Sequence, residues 1–129
     1  MKNKFYVCER CGNVAELIHA SGVNPVCCGE RMKALVPGVT EASHEKHIPV
    51  VSENGRRVSV SVGSVIHPMS EAHSILWIQL ETSKGVYRRS LLPTDAPEAV
   101  FELAEGESWT VAYAYCNLHG LWAKENSKD

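Results

Sequence analysis

The chain has 129 residues, of which 44% are hydrophobic, and a formal net charge of −2, with a pI near 6.3. That length suits one domain, or one ordinary domain with a small companion, and the weak acidity argues against a general nucleic-acid or membrane-surface binder. No apolar run approaches the roughly 20 residues needed to span a bilayer, and the start, "MKNKFYVCER", has no apolar segment behind its lysines. The reading is therefore a soluble cytoplasmic protein with neither nucleic acid nor membrane as partner. In that reducing compartment its 5 cysteines are better read as metal ligands than as disulfides, and an odd count leaves one unpaired in any disulfide scheme.

Residues 1–36 form the first part. Gly12, Gly22, Pro25 and Gly29 punctuate short strand-like pieces in "YVCERCGNVAELIHASGVNPVCCGERMKALV". Large apolar residues are few, so a bound metal would supply stability that packing cannot. The stretch "PGVTEASHEKHIP" (37–49) leads into the second part, 37–129, where the pattern is β. "ENGR" (53–56) carries the Asn-Gly pair of a hairpin. "RRVSVSVG" alternates, with Val58, Val60 and Val62 on one face. "HSILWIQLET" (73–82) and "GVYRRSLL" (85–92) are strand-like about a turn at Ser83-Lys84-Gly85, and "PTDAPE" is a loop. "AVFEL" and "SWTVAYAYC" close the series. In the last of these, Trp109, Val111, Tyr113 and Tyr115 alternate with Thr110, Ala112, Ala114 and Cys116. Short strands between turns, without a long helical period, predict an antiparallel sandwich or barrel.

The first constellation is Cys8, Cys11, Cys27 and Cys28. "CERC" places two thiolates as a knuckle and "CC" supplies a second pair; four thiolates suit tetrahedral zinc or iron. The adjacent pair is unusual, because neighbouring residues must both turn towards one ion and should distort the tetrahedron. A purely structural zinc site remains open, and a redox dithiol at the CxxC would leave "CC" unexplained.

The second constellation involves the fifth cysteine. Cys116 lies far from the other four and three residues before His119, in "CNLHG". The second part also holds His44, His47, His67 and His73. A lone histidine is more often a surface or satisfied polar residue than a ligand, and Cys116 alone could be a buried free thiol beside Tyr115. At strand ends and in loops, however, a sandwich can converge side chains. Four imidazoles (His47, His67, His73, His119) and the Cys116 thiolate make five ligands. Zinc prefers four, whereas iron accepts five and keeps a position open, with the thiolate donating electron density to it.

These motifs resemble desulfoferrodoxin, the two-iron class of superoxide reductase. "CERCG" and "VCCGERM" are similar to the desulforedoxin module, and "EKHIP", "HPMSEAHSILWI" and "CNLHGLW" to the neelaredoxin-type catalytic domain, from about Phe5 to Trp122. The resemblance implies a desulforedoxin-like module followed by an immunoglobulin-like antiparallel β-sandwich, mainly β throughout. It implies two iron ions per chain: a rubredoxin-like one on Cys8, Cys11, Cys27 and Cys28, and a catalytic one with His47, His67, His73 and His119 equatorial and Cys116 axial. Glu45 would match the carboxylate that takes the sixth position of the ferric site, and Lys46 the lysine near its open face. His44 and His19 read as surface histidines. The implied reaction is one-electron reduction of superoxide to hydrogen peroxide without dioxygen production, a detoxification role under oxidative stress, in a homodimer. No flavin or nicotinamide fingerprint is present, so the electron comes from outside, on the family's precedent from a rubredoxin-type donor. An electron carrier using the four-cysteine centre alone, or a zinc-binding structural or hydrolytic protein, are the rival readings.

Overall fold

The computed structural model describes residues 4–39 and 42–127. The chain divides into two compact units, Met1–Val36 and Pro37–Asp129. Among the described residues, no helix is long and apolar enough to cross a membrane.

The first unit is built from very short strands. β1 (Phe5–Val7) pairs antiparallel with β2 (Val14–Glu16), and also with β5 (Lys33–Ala34), giving the order β2-β1-β5. β3 (Val26–Cys27) and β4 (Glu30–Arg31) form a separate two-stranded ribbon. The unit's core cluster is Tyr6, Cys8 and Met32, with Ala15, Leu17, Cys27 and Ala34 against them. Two of these seven residues are cysteines, so the small core includes metal-ligand chemistry instead of relying on apolar packing alone.

The second unit is a β-sandwich. The hairpin foreseen at Asn54-Gly55 joins β6 (Pro49–Asn54) to β7 (Arg57–Val62), with Asn54 opposite Arg57 and Gly55 at φ 63°. β10 (Glu98–Glu102) pairs on the other side of β7, giving a three-stranded sheet in the order β10-β7-β6. The second sheet, in the order β12-β11-β8-β9, uses β8 (Ile75–Thr82), β9 (Val86–Ser90), β11 (Trp109–Cys116) and β12 (Gly120–Glu125). Two antiparallel sheets of three and four strands are the arrangement of an immunoglobulin-like sandwich. Among the described residues, the one helical element is a single turn, α1 (His44–His47), a feature that no helical period in the sequence announces.

The core lies between the sheets. Val58, Val60 and Val62 enter it from β7, as their alternation predicts, and meet Ile78, Leu80, Ala112, Ala114 and Cys116. β11 departs from simple alternation. The alternating pattern groups Trp109 with Val111, but a register irregularity between these two residues, against Thr82 and Glu81, turns Trp109 into the same core as Ala112 and Ala114. An extra residue in one strand of an antiparallel pair reverses the facing of everything before it. Cys116 is wholly buried at the far end of the same strand, beside a second irregularity between Tyr115 and Cys116.

Candidate metal centres

The four-cysteine group is assembled by the knuckle and the β3–β4 ribbon. The Sγ atoms of Cys8, Cys11, Cys27 and Cys28 all lie within 4.8 Å of one another, with Cys8 buried and Cys11 and Cys28 exposed. The Cys11 N–H donates to Cys8 Sγ at 3.5 Å, Asn13 Nδ2 donates to Cys27 Sγ at 3.6 Å, and Cys11 Sγ lies 3.6 Å from Cys27 Sγ. The adjacent pair is accommodated by the backbone: Cys28 adopts φ 53°, the left-handed region, followed by Gly29 at φ 76°. That conformation costs a non-glycine residue about 1–2 kcal/mol, and it is how two neighbouring thiols come to face one point. The thiols titrate unevenly. The Cys11 and Arg10 backbone N–H groups hold Cys8 down at about 6, whereas hydrogen bonding and charge among Cys11, Cys8 and Cys27 push Cys28 up to about 12. Four thiolates in this space repel one another, and a cation at their centre removes the conflict.

The second group lies at one end of the sandwich. One ligand atom each from His47, His67, His73 and Cys116 lies within 4.8 Å of the others, and His47, His67 and Cys116 are buried. His47 ends α1, where its Nδ1–H donates to the Ser43 carbonyl at 2.6 Å, leaving Nε2 to face inward. His67 follows the end of β7 and likewise donates from Nδ1 to the Pro68 carbonyl at 2.7 Å. His73 is held in a turn by bonds from its N–H to the Ser70 carbonyl and hydroxyl at 3.3 and 3.2 Å. His119 adjoins this set: its Nδ1 is 3.1 Å from His47 Nε2 and 3.9 Å from Cys116 Sγ, and its backbone N–H donates to that sulfur at 3.4 Å.

This group fits a metal on its own evidence. The Nε2 atoms of His67 and His73 are buried and have no hydrogen-bond partner. Buried polar atoms are rarely left so, because the lost hydration is costly. Burial lowers the pKa of His47, of His67 to about 4, and of His73, each lowered further by neighbouring imidazoles or Lys46, so all three are neutral at pH 7 and keep a ring nitrogen free to ligate. Burial raises the Cys116 thiol, while the Leu118 and His119 N–H groups pull it back; a bound cation would complete its ionisation.

Glu45 and Lys46 are exposed on α1, beside His47, and the Glu45 carboxylate belongs to neither donor group. Their backbone is tied down: Glu45 carbonyl accepts from Val65 N–H at 2.9 Å and from Ser64 Oγ at 3.3 Å. His44 and His19 are exposed, as expected of surface histidines. Sequence reasoning passed over two residues that organise the site. Asn117 joins the Cys116–His119 turn to the His73 segment, accepting from Ser74 N–H at 3.0 Å and donating to the Ala72 carbonyl at 3.0 Å. Gly63 permits α1 to lie against the end of β7. The available signal was only their place inside or beside the histidine motifs.

The desulfoferrodoxin profile matches residues 39–125, and the profile of the desulfoferrodoxin N-terminal domain matches residues 1–35. A desulfoferrodoxin of Nitratidesulfovibrio vulgaris is 45% identical over 127 residues, spanning 97% of this chain and 99% of the relative. The chain belongs to the desulfoferrodoxin family. Among solved structures, the superoxide reductase of Treponema pallidum is similar at a TM-score of 0.81 and 36% identity, covering 97% of this chain and 100% of that one. The superoxide reductase of Giardia intestinalis is similar at a TM-score of 0.56 and 31% identity over 64% of this chain and 97% of its own. In this member of the family, the four-cysteine group and the histidine–cysteine group fit two iron sites.

Proposed function

We propose that the protein is a superoxide reductase, reducing superoxide by one electron and two protons to hydrogen peroxide. The observation that carries this reading is the second donor group. It joins three neutral, mostly buried imidazoles and a buried thiol, with a fourth imidazole alongside, and two of its ring nitrogens otherwise lack partners. A structural zinc site has no use for a fifth donor. Family membership and the resemblance to superoxide reductases over nearly the whole chain support the same reading.

His47, His67, His73, His119 and Cys116 would hold the catalytic iron, with Glu45 joining it in the ferric state; Cys8, Cys11, Cys27 and Cys28 would hold the second iron. Ferrous iron, when bound, would supply the single electron, and the Cys116 thiolate would donate electron density to it. The chain's own residues do the rest. The Ser43 and Pro68 carbonyls fix which nitrogen of His47 and His67 faces inward. The Leu118 and His119 N–H groups point at the Cys116 sulfur and moderate its basicity. Lys46, exposed next to His47, offers a positive charge to an incoming anion and can order water for protonation. The electron arrives from a rubredoxin-type donor, and the reading includes a cytoplasmic homodimer.

Visible spectroscopy with metal analysis tests the proposal. Two iron–thiolate chromophores are expected, and Cys116→Ser should remove one, together with fast superoxide reduction, while leaving the four-cysteine band. A colourless protein that carries zinc would refute it, as would a Cys116→Ser variant that turns over superoxide like the parent.

A further inference from the structure

Two of the site's imidazoles stand on short irregular segments and share one neighbour. His47 sits on a helix of a single turn and His119 in the turn between β11 and β12, 72 residues apart. Neither piece has a hydrogen-bonded ladder of its own to fix a ring plane. Trp122 touches both. Its indole stacks on His47, with ring centroids 4.9 Å apart and planes at 28°, and its Nε1–H donates to the His119 carbonyl at 3.0 Å. His44 meets the same indole edge-on at 5.3 Å and 72°.

Trp122 itself has little freedom. It is 1% exposed and lies within the β11–β12 ladder, opposite Ala114. Gly38, at φ 74° and bonded from its N–H to the Leu121 carbonyl at 2.9 Å, brings its backbone against the indole; a Cβ there would lie 4.0 Å from two ring carbons. The indole is thus fixed by a regular strand on one side and passes that rigidity to two irregular segments on the other. Both of its chemical features are used: the flat face sets the tilt of the His47 ring, and the polar N–H sets the peptide from which the His119 imidazole departs. A leucine could fill the volume and do neither.

We infer that Trp122 is a positioning residue for the metal centre, holding His47 and His119 in register with each other so that both can reach one ion. The inference rests on the reading of that group as a metal site. Groups that orient metal ligands from behind are worth roughly 10–100-fold in metal affinity.

The test uses the full-length, iron-loaded protein and three variants. Trp122→Phe keeps the aromatic face and loses the N–H; Trp122→Leu loses both. Trp109→Phe alters another buried tryptophan, one in the sandwich core without a ring contact to the histidine group. Chelator competition measures retention of iron by the histidine–cysteine site, and the position of its thiolate band reports ligand geometry. The four-cysteine band in each sample is the internal reference. Trp122→Phe should hold that iron about tenfold more weakly and Trp122→Leu about 100-fold, both with a displaced band, whereas Trp109→Phe should leave affinity and band unchanged. If Trp122→Leu does not fold, Trp122→Phe decides. Parental affinity and band position in a folded Trp122→Phe would overturn the inference, and so would an equal loss in Trp109→Phe. A parent that takes up no metal beyond the four-cysteine site would instead overturn the metal-site reading, and the inference with it.

Discussion

Gly63→Ala should injure the site without replacing a ligand. At Gly63 the backbone has φ 71°, and an added Cβ would lie 2.5 Å from the Lys46 carbonyl carbon and 2.7 Å from its Cα, closer still to the Glu45 carbonyl oxygen. All of these are backbone atoms, so no side chain can swing aside. Carbon atoms settle at about 3.5–4.0 Å, so the Glu45–Lys46 segment must retreat by about 1 Å. Retreat weakens the bond from Val65 N–H to the Glu45 carbonyl, now 2.9 Å. The left-handed conformation costs alanine about 1–2 kcal/mol and the lost hydrogen bond about 1 kcal/mol more, about 2–3 kcal/mol together. Displacements of 1 Å at a reacting site can cost up to about 100-fold in rate. Since the clash falls on the Glu45–Lys46 backbone and not on an imidazole donor, about tenfold or less is expected for the superoxide reaction. Denaturant unfolding followed by tryptophan fluorescence would measure the first quantity. All three tryptophans, Trp77, Trp109 and Trp122, lie in the second unit. Pulse radiolysis at several ionic strengths would measure the second. If Gly63→Ala unfolds at the parent's midpoint and reacts at the parent's rate with the parent's salt dependence, the close approach of α1 to the end of β7 does not position Glu45 and Lys46.

Lys46→Ile should slow the encounter with superoxide most at low salt and converge on the parent near 1 M, where the screening length falls to about 3 Å; a parental rate at low salt would refute guidance by Lys46. Glu45→Ala should change the ferric spectrum and barely change the encounter rate, and a ferric spectrum unchanged at every pH would remove Glu45 as a ligand. Asn117→Ala forfeits the bonds with Ser74 and Ala72, about 1–3 kcal/mol in all. The His73 segment should then loosen from the Cys116 turn, read as faster loss of iron from that site to a chelator. In the metal-free protein, His67 has a folded pKa near 4 against 6.5 unfolded, so the unfolded chain binds the extra proton. That contribution is complete above pH 6.5 and is lost as pH falls to about 4, amounting to at most about 3 kcal/mol. A tryptophan-monitored unfolding midpoint that stays flat from pH 7 to 4.5 would contradict it.

Local chemistry was legible in the chain. The CxxC knuckle, the adjacent cysteine pair, the Asn-Gly hairpin and the valines of β7 each depend on spacing over a few residues, where backbone geometry leaves few choices. That both Cys27 and Cys28 must turn towards one point was legible from their adjacency; the left-handed backbone of Cys28 that achieves it was not. Other features required the folded chain. A one-residue irregularity moves Trp109 to the opposite face of β11, since strand facing has a period of two and any insertion inverts it. α1 is too short to carry a helical period, and it is held by contacts from the end of β7. The supporting roles of Gly63, Asn117 and Trp122 are tertiary as well: each acts on a segment far away in sequence, at distances that only the packing of the two sheets defines. Composition and motif could nominate His47, His67, His73, His119 and Cys116. Whether their ligand atoms come within bonding reach of one ion depends on strand register and on the turns at one end of the sandwich, which bring together residues as far apart in sequence as His47 and His119.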